Sequence, residues 1–530
     1  MSKKLIKSGV IVSFMTLISR VLGLVRDVVI ANVMGTGLAA DVFLFANKIP
    51  NFLRRLFAEG AFAQAFVPVL SEYQAEDEKN GTNETKKLIA QVSGTLGVII
   101  SLVTIVGMIG SPIIVMLFGF GWFVEWFNDG EQANKFELAS SLLKITFPYL
   151  WFVSLTALSG AILNTMGKFA VAAFTPVLLN VCIITSAIFL SPHLENPAYA
   201  LAWGVFLGGL TQFIFQIPFL YRAGVLVKPQ WAWQTKGVNK IKKLIVPALF
   251  GVSVTQINLL LDTLIASFLI TGSISWLYYA DRLLEFPLGL FGIGIATVIL
   301  PSLAGLHAKK NNNEFGATLD WGIKVVCFMG IPALAGLMVL AQPIIMVLFM
   351  RGEFSQTDVM QVSFALYAYL SGLVSFMFIK ILAPGYYARQ DTKTPVKIGI
   401  KAMVANMAFN LMLAPFWGYV GLALATTLSA TLNAYWLYQG LKSDGVYHLS
   451  AGAKWFIAKL VLSALVMTML IYQLSPSFEH WLSLSLLEQS RNLVFCISAG
   501  VVCYVVCIIL LGIRTNDFKV SKVDSIRPEQ

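Results

Sequence analysis

Apolar residues along this chain form long, continuous runs that are separated by short polar segments. A run of about 18 or more residues is long enough for a helix to cross roughly 30 Å of hydrocarbon. Backbone polar groups in lipid must bond to one another, so a spanning segment is either a helix or a strand of a closed barrel. These runs do not alternate between apolar and polar positions, and they therefore predict helices. The fold class predicted is an all-α polytopic membrane protein.

Fourteen such runs predict about fourteen transmembrane helices, which we number as spans 1 to 14. Their approximate bounds are 8–33, 40–70, 86–118, 137–166, 170–191, 197–222, 242–270, 275–305, 317–350, 357–386, 395–415, 419–440, 453–474 and 487–512. An even number of spans places both termini on one side of the membrane. The loops between spans 6 and 7, 8 and 9, and 10 and 11 are basic, whereas loops on the opposite side are neutral or acidic. Because cytoplasmic loops carry excess lysine and arginine, both termini are predicted to be cytoplasmic.

Two segments about 234 positions apart resemble each other. ADVFLFANKIPNFLRRLF begins at Ala40, and ISWLYYADRLLEFPLGLF begins at Ile274, with charged and aromatic residues at matching positions. An internal repeat of this kind predicts two pseudo-symmetric six-helix lobes, residues 1–223 and 224–441. Residues 442–530 then hold two C-terminal helices and a cytoplasmic tail. Transporters built from repeats often bind their substrate between the halves.

Composition narrows the class of function further. Hydrophobic residues make up 57% of the chain and charged residues only 12%, against about 25% charged in soluble domains. The net charge of +11 would suit nucleic acid, but the basic residues are concentrated in a few short loops, so no nucleic-acid partner is expected. The four histidines are scattered, and no P-loop is present. We therefore expect no cofactor, no certain metal site and no ATP-binding part.

Span 1 carries three charges, Arg20, Arg26 and Asp27, inside an apolar run. Its apolar residues favour membrane insertion by about 4–8 kcal/mol in total. The three charges oppose insertion by about 8–10 kcal/mol if they lie near the bilayer centre. They must therefore face protein or water, which makes all three candidate functional residues. Arg20 and Asp27 are two turns apart on one helix face, and Arg26 points about 120° away.

Spans 2 and 8 carry further charges: Asp41, Arg54, Arg55, Glu59, Asp281, Arg282 and Glu285. Ion pairs that join helices or lie near the cytoplasmic rim would explain Arg55–Glu59, at i,i+4 spacing, and Asp281. Four arginines outnumber the acids expected at matching depth: Arg20, Arg26, Arg54 and Arg282. Guanidinium groups grip phosphate through paired hydrogen bonds, so this surplus favours a phosphate or pyrophosphate site between the lobes.

A second candidate site consists of uncharged oxygens and one acid. Asp262 is a lone carboxylate in span 7, Asn406 and Asn410 lie at i,i+4 spacing in span 11, and Thr426 lies in span 12. Their oxygens could hold a monovalent cation or a proton. Hydrogen bonds between helices are the alternative interpretation.

Several motifs resemble the MurJ/MviN lipid II flippases of bacterial inner membranes, which belong to the multidrug/oligosaccharidyl-lipid/polysaccharide exporter superfamily. The motifs, in the order found in the family, are SRVLGLVRD, NFLRRLFAEGAFAQAFVP, ILNTMGKFA, YYADRLLEFPLG and APGYYARQDTKTPVKI. The likeness covers essentially the whole chain, and the second motif is the most specific.

This resemblance implies a transporter rather than an enzyme. The substrate implied is lipid II, the undecaprenyl-pyrophosphate-linked disaccharide-pentapeptide, moved from the cytoplasmic to the periplasmic leaflet for peptidoglycan synthesis. The family's essential cavity arginines match Arg20, Arg26, Arg54 and Arg282. Other functionally sensitive positions match Asp41, Arg55, Glu59 and Glu285. A cation site in some relatives matches Asp262, Asn406, Asn410 and Thr426, and spans 13 and 14 match a groove for the polyprenyl tail. Membrane lipids and the cell-wall synthesis and division machinery are the other partners implied.

Transport without an ATP-binding part needs another driving force, such as membrane potential, an ion gradient or removal of product. Moving one charge across 100 mV is worth about 2.3 kcal/mol. The expected mechanism is alternating access through an arginine-lined central cavity. The nearest alternative is a flippase for another lipid-linked oligosaccharide of the same superfamily. More distant alternatives are a drug exporter, a membrane-embedded enzyme and a scaffold of the division machinery.

Overall fold

The computed structural model describes residues 3–55 and 61–518, and every regular element within these ranges is a helix. Each of the fourteen predicted spans falls on one α-helix or on two, with short π or 3-10 segments in spans 5 and 8, which confirms the all-α fold class; residues 56–60 of span 2 lie outside the described ranges. Within the same ranges, eight helices are long and apolar enough to cross a membrane, or nine if one bent pair forms a single span. Other predicted spans carry several charges, as helix Ser273–Pro287 does.

The chain packs into two compact units, and the first comprises Met1–Ser275 with Arg351–Phe354. Its helices are α1 (Lys3–Met34), α2 (Leu38–Arg54), α3 (Ala61–Asn80), α4 (Glu84–Ile109), α5 (Ser111–Phe118), α6 (Phe120–Phe127), α7 (Ala133–Thr146), α8 (Pro148–Thr165), α9 (Phe169–Thr185), α10 (Pro197–Arg222) and α11 (Lys236–Ala266). Span 4 is divided into α7 and α8 because Pro148 stands at the first position of α8, where its missing N–H is tolerated.

Close packing in the first unit depends on aromatic side chains and on a small residue. The rings of Phe62 and Phe66, on α3, stack 5.2 Å apart within a core that also includes Leu88 and Leu158. A Cβ added at Gly209 of α10 would lie 2.7 Å from the Tyr149 ring on α8. Glycine at this position therefore allows α10 to pack closely against α8.

The second unit comprises Trp276–Met350 with Ser355–Gln530. Its helices are α12 (Ser273–Pro287), α13 (Ile293–Ala308), α14 (Asn312–Phe349), α15 (Gln356–Leu370), α16 (Leu373–Tyr387), α17 (Lys393–Ser443), α18 (Ala451–Leu474), α19 (Phe478–Ser483) and α20 (Leu486–Leu510). Helix α14 packs on α15, α16 and α18, and α18 packs on α20. Helix α12 begins with three residues that belong to the first unit.

Predicted spans 11 and 12 both lie in α17, which consists of two helices joined at Gly418. Gly418 has a φ of +54°, in the left-handed region that glycine adopts without steric cost. The predicted repeat boundaries at residues 223 and 441 stay predictions, because compact packing does not test an internal repeat.

Candidate substrate-binding site

Arg26 and Asp27 form an ion pair on α1 that is bound to α9. The Arg26 Nε and Nη2 atoms donate to Asp27 Oδ1 at 3.0 and 2.7 Å, and Nη1 donates to Asn180 Oδ1 at 3.1 Å. Asn180 in turn donates from Nδ2 to the Ser19 carbonyl oxygen at 3.1 Å. Because α1 packs along α9, this network holds the Arg26 guanidinium at a helix interface. Asp27 is buried, and its negative charge neutralises the positive charge of Arg26 within span 1.

Arg20 lies in a different environment on the same helix. Its side chain is exposed, and it makes no hydrogen bond or ion pair to any residue that the structure describes. Arg20 therefore keeps its full set of guanidinium donors available to an anion.

Arg54 and Arg55 end α2. Arg54 Nε donates to Asn51 Oδ1 at 3.2 Å, and Asn51 Nδ2 donates to the Asn47 carbonyl oxygen at 2.8 Å. Arg55 is exposed. Glu59 lies outside the described residues, so the predicted Arg55–Glu59 pair stays a prediction.

Asp41 lies near the start of α2 and is buried. Its carboxylate accepts hydrogen bonds from residues at the beginning of α12. Its Oδ2 atom accepts from Gly272 N at 2.7 Å, and its Oδ1 atom accepts from Ser275 N at 2.9 Å and Ser275 Oγ at 2.7 Å. Lys135 Nζ of α7 lies 3.7 Å from Asp41 Oδ2. Asp41 therefore fixes the turn from which α12, the helix of Arg282, begins.

Lys135 is not among the candidate residues that the sequence predicts. Its ammonium also donates to Gln132 Oε1 at 2.9 Å and lies 5.5 Å from the centre of the Trp122 ring. The one feature of the sequence that could have indicated it is its position, two residues before residue 137, where span 4 is predicted to start.

Arg282 lies in the second unit, whereas Arg20, Arg26 and Arg54 lie in the first. Arg282 Nη1 donates to Glu285 Oε2 at 3.1 Å, as the i,i+3 spacing predicts. Nη2 donates to Tyr278 Oη at 3.3 Å, and the guanidinium lies 5.0 Å from the centre of the Tyr278 ring. The Arg282 and Glu285 side chains are 37% and 51% exposed, so this pair is accessible to solvent.

Three of the four residues proposed for a cation site belong to the second unit and contact one another there. Asn410 Nδ2 donates to Asn406 Oδ1 at 2.9 Å, and Asn406 Nδ2 lies 3.4 Å from Thr426 Oγ1 across the break at Gly418. Asp262 belongs to the other unit, where its Oδ2 atom lies 3.4 Å from Asn258 Nδ2. Within the part of the chain that the structure describes, no cluster of three or more histidine, cysteine or carboxylate residues could hold a metal ion.

Comparison with known proteins gives one family over most of the chain. The sequence model of the family described as "Lipid II flippase MurJ" matches residues 30–491. The "Probable lipid II flippase MurJ" of Vibrio cholerae serotype O1 is 62% identical over 519 residues, which cover 98% of each chain.

Solved structures agree with the family match. A structure titled "Lipid II flippase MurJ, inward closed conformation" has a TM-score of 0.79 and 29% identity, and the match covers 95% of this chain and 98% of that one. An inward-facing multidrug resistance MATE transporter of the MOP superfamily has a TM-score of 0.67 at 14% identity, with 82% and 98% covered. The second likeness concerns the fold alone.

Proposed function

Because the chain belongs to the lipid II flippase MurJ family, we propose that it moves lipid II from the cytoplasmic to the periplasmic leaflet of the bacterial inner membrane. The family is one of transporters, and the many apolar helices make the chain a multi-pass membrane protein. The reaction is translocation for peptidoglycan synthesis, and it makes or breaks no covalent bond.

The observation that carries this proposal is the presence of exposed guanidinium groups within the predicted membrane spans. Arg20 on α1 is exposed, and Arg282 on α12 is more than one-third exposed. A charged side chain within a membrane span is expensive unless it faces water or a charged ligand. A pyrophosphate supplies several acceptor oxygens, and arginine binds such oxygens through parallel hydrogen bonds. We propose that four arginines bind the pyrophosphate of lipid II, either in turn or together: Arg20, Arg26, Arg54 and Arg282.

The head group of lipid II is large, polar and anionic, whereas its polyprenyl tail is apolar. A cavity lined by arginines would replace water around the pyrophosphate while the tail stays in lipid. Alternating access of this cavity to the two sides is the mechanism we propose. Helices α18 and α20 expose many apolar side chains, including Leu465 and Val494, and suit contact with the tail.

The driving force is proposed to be membrane potential or a monovalent cation gradient. Asn406, Asn410 and Thr426 supply neutral oxygens, and Asp262 supplies the one carboxylate of the proposed cation site. If Asp262 couples a cation, Asp262→Ala will remove the dependence of transport on sodium or potassium. An unchanged response to both ions would return Asp262 to a structural role. We place both termini in the cytoplasm, and propose the cell-wall synthesis and division machinery as partners.

Transport of fluorescent lipid II in proteoliposomes tests the proposed function. We expect wild-type protein to move the lipid between leaflets, and Arg20→Ala and Arg282→Ala to slow this movement by about tenfold or more. Loss of one charged hydrogen bond costs about 1.5–3 kcal/mol, and 1.4 kcal/mol is a factor of ten. Arg389→Ala is the matched control, because Arg389 pairs with Asp444 outside the predicted spans, at 2.8 Å. Equal rates in vesicles with and without the wild-type protein would contradict the proposed function.

A further inference from the structure

A cavity of about 310 Å³ lies in the first unit, beside the helix turn that carries Arg20. It is formed by α1, α9 and the end of α8, and its lining residues are Val12, Thr16, Ser19, Asn164, Phe169, Ala172, Ala173 and Pro176. Binding sites for small molecules commonly begin at about this volume. The cavity is therefore large enough for one sugar ring but too small for the whole head group of lipid II.

The polar groups of this cavity can recognise a neutral ligand. The Oδ1 atom of Asn164 is buried and has no hydrogen-bond donor among the described residues. Buried carbonyl oxygens are almost always satisfied, so the Asn164 amide gains a hydrogen bond if it turns this oxygen towards a donor in the cavity that it lines. The Thr16 hydroxyl donates to the Val12 carbonyl oxygen at 2.8 Å and keeps its lone pairs to accept a hydrogen bond. The lining contains no charged side chain, which disfavours an ion as the ligand.

The apolar part of the lining complements these polar groups. Phe169 is 38% exposed and presents an aromatic ring, and Pro176 and Val12 add aliphatic surface. A ligand with one face of C–H groups and a rim of hydroxyl and amide groups satisfies both parts. An N-acetylated amino sugar has this chemistry, because its amide N–H and hydroxyls donate hydrogen bonds while its ring contacts apolar surface.

The cavity lies next to Arg20 along α1 and is connected to Arg26 by hydrogen bonds. Ser19 lines it, and the next residue is Arg20, with consecutive Cα atoms about 3.8 Å apart. The Ser19 carbonyl oxygen accepts from Asn180, whose own Oδ1 atom accepts from Arg26. A pyrophosphate bound by these arginines would lie at the Ser19 end of the cavity, one bond away from the first sugar of the substrate.

We infer that this cavity is a subsite for the sugar that is joined directly to the pyrophosphate. The inference rests on the proposed function, and it adds a contact that can separate lipid II from other lipid-linked sugars. Arg20 and Arg26 recognise the pyrophosphate charge that all such lipids share, and the cavity binds the neutral sugar.

The test compares two ligands, lipid II and undecaprenyl pyrophosphate, which has no sugar. Binding of each to the full-length protein in nanodiscs is measured for the wild type, Ala173→Phe, which fills the cavity, and Asn164→Ala, which removes the acceptor. We expect both variants to bind lipid II about tenfold more weakly, with affinity for undecaprenyl pyrophosphate unchanged. Val181→Phe is the matched control, since Val181 lies on α9, is 44% exposed and does not line the cavity.

Each of the remaining outcomes contradicts either the sugar subsite or the proposed function. Wild-type affinity of both variants for lipid II would overturn the sugar subsite, and so would an equal loss for both ligands. Failure of the wild type to bind either lipid would overturn the proposed function itself. If Ala173→Phe does not fold, Asn164→Ala carries the comparison, because it only shortens a side chain.

Discussion

Two ion pairs of this chain join the same kinds of charge in opposite surroundings. The Lys135 and Asp41 side chains are 1% and 2% exposed, whereas those of Arg282 and Glu285 are 37% and 51% exposed. Removing one partner of a buried pair leaves an uncompensated charge and costs several kcal/mol. An exposed pair contributes about 0–1 kcal/mol, because water already solvates both charges. The first pair therefore serves the fold, and the second is available to a ligand.

The largest effect on stability is expected from Asp41→Ala. This change leaves the Lys135 ammonium and three donors, on Gly272 and Ser275, without their buried acceptor. The free energy of unfolding, measured by denaturant titration in detergent micelles, should fall by about 3–5 kcal/mol.

A double variant sharpens this prediction. Asp41→Leu combined with Lys135→Met removes the uncompensated Lys135 charge and should recover part of the lost stability, because the donors on Gly272 and Ser275 still lack their acceptor. A single Asp41→Ala variant as stable as the wild type would show that the pair does not hold α2, α7 and the start of α12 together.

Asp27→Ala should have an intermediate effect. It removes the acceptor of two hydrogen bonds from the partly buried Arg26, and bonds to charged groups are worth about 1.5–3 kcal/mol. The free energy of unfolding should fall by about that amount in the same titration. Glu285→Ala is the matched control, with a loss below about 1 kcal/mol. Equal losses for the two variants would remove the distinction between buried and exposed pairs.

Arg282→Ala should separate function from stability. Its free energy of unfolding should fall by only about 1 kcal/mol, because the pair with Glu285 and the ring contact with Tyr278 are both at a partly exposed site. The variant should nevertheless fail to support growth when it is the cell's only copy, at a membrane level equal to that of the wild type on immunoblots. Normal growth of Arg282→Ala would argue against the proposed anion site.

Asp77→Asn should give the smallest change, confined to a pH window. Hydrogen bonds from the side chain of Thr82 and from Thr85 lower the pKa of the partly exposed Asp77 carboxyl to about 2. A lowered pKa stabilises the folded state above the unfolded-state value of about 3.9, and this contribution is lost as pH falls towards 2. Thermal unfolding should therefore separate variant from wild type at pH 7, and the difference should shrink below about pH 4. A difference independent of pH would mean that the carboxylate charge is not involved.

Hydropathy predicted the fold well because each span is defined by residues that are close together in sequence. The run from Lys393 to Ser443 shows this, since two predicted spans correspond to the two halves of one helix broken at Gly418. The acidic segment around Asp77 shows the limit. Hydropathy ends span 2 at residue 70, but α3 continues to Asn80, and Asp77 accepts hydrogen bonds from the backbone at the start of α4.

The candidate site could be predicted only in part. Charge in an apolar helix marked Arg20, Arg26 and Asp27, but it did not indicate which groups pair. A long arginine side chain reaches around the helix, so Arg26 binds its neighbour Asp27. Asn180 lies 154 residues away from Arg26, and no local pattern indicates that contact. Partners set by tertiary packing are therefore the part that sequence reasoning missed.

Leaflet accessibility of lipid II in cells depleted of this protein tests the central claim most directly. The reporter is an enzyme confined to the periplasm that cleaves only outward-facing lipid II. We predict that cleavage stops on depletion, returns with the wild-type chain and does not return with Arg26→Ala at equal membrane level. Continued cleavage after depletion would contradict the account, and would direct the search to other lipid-linked sugars.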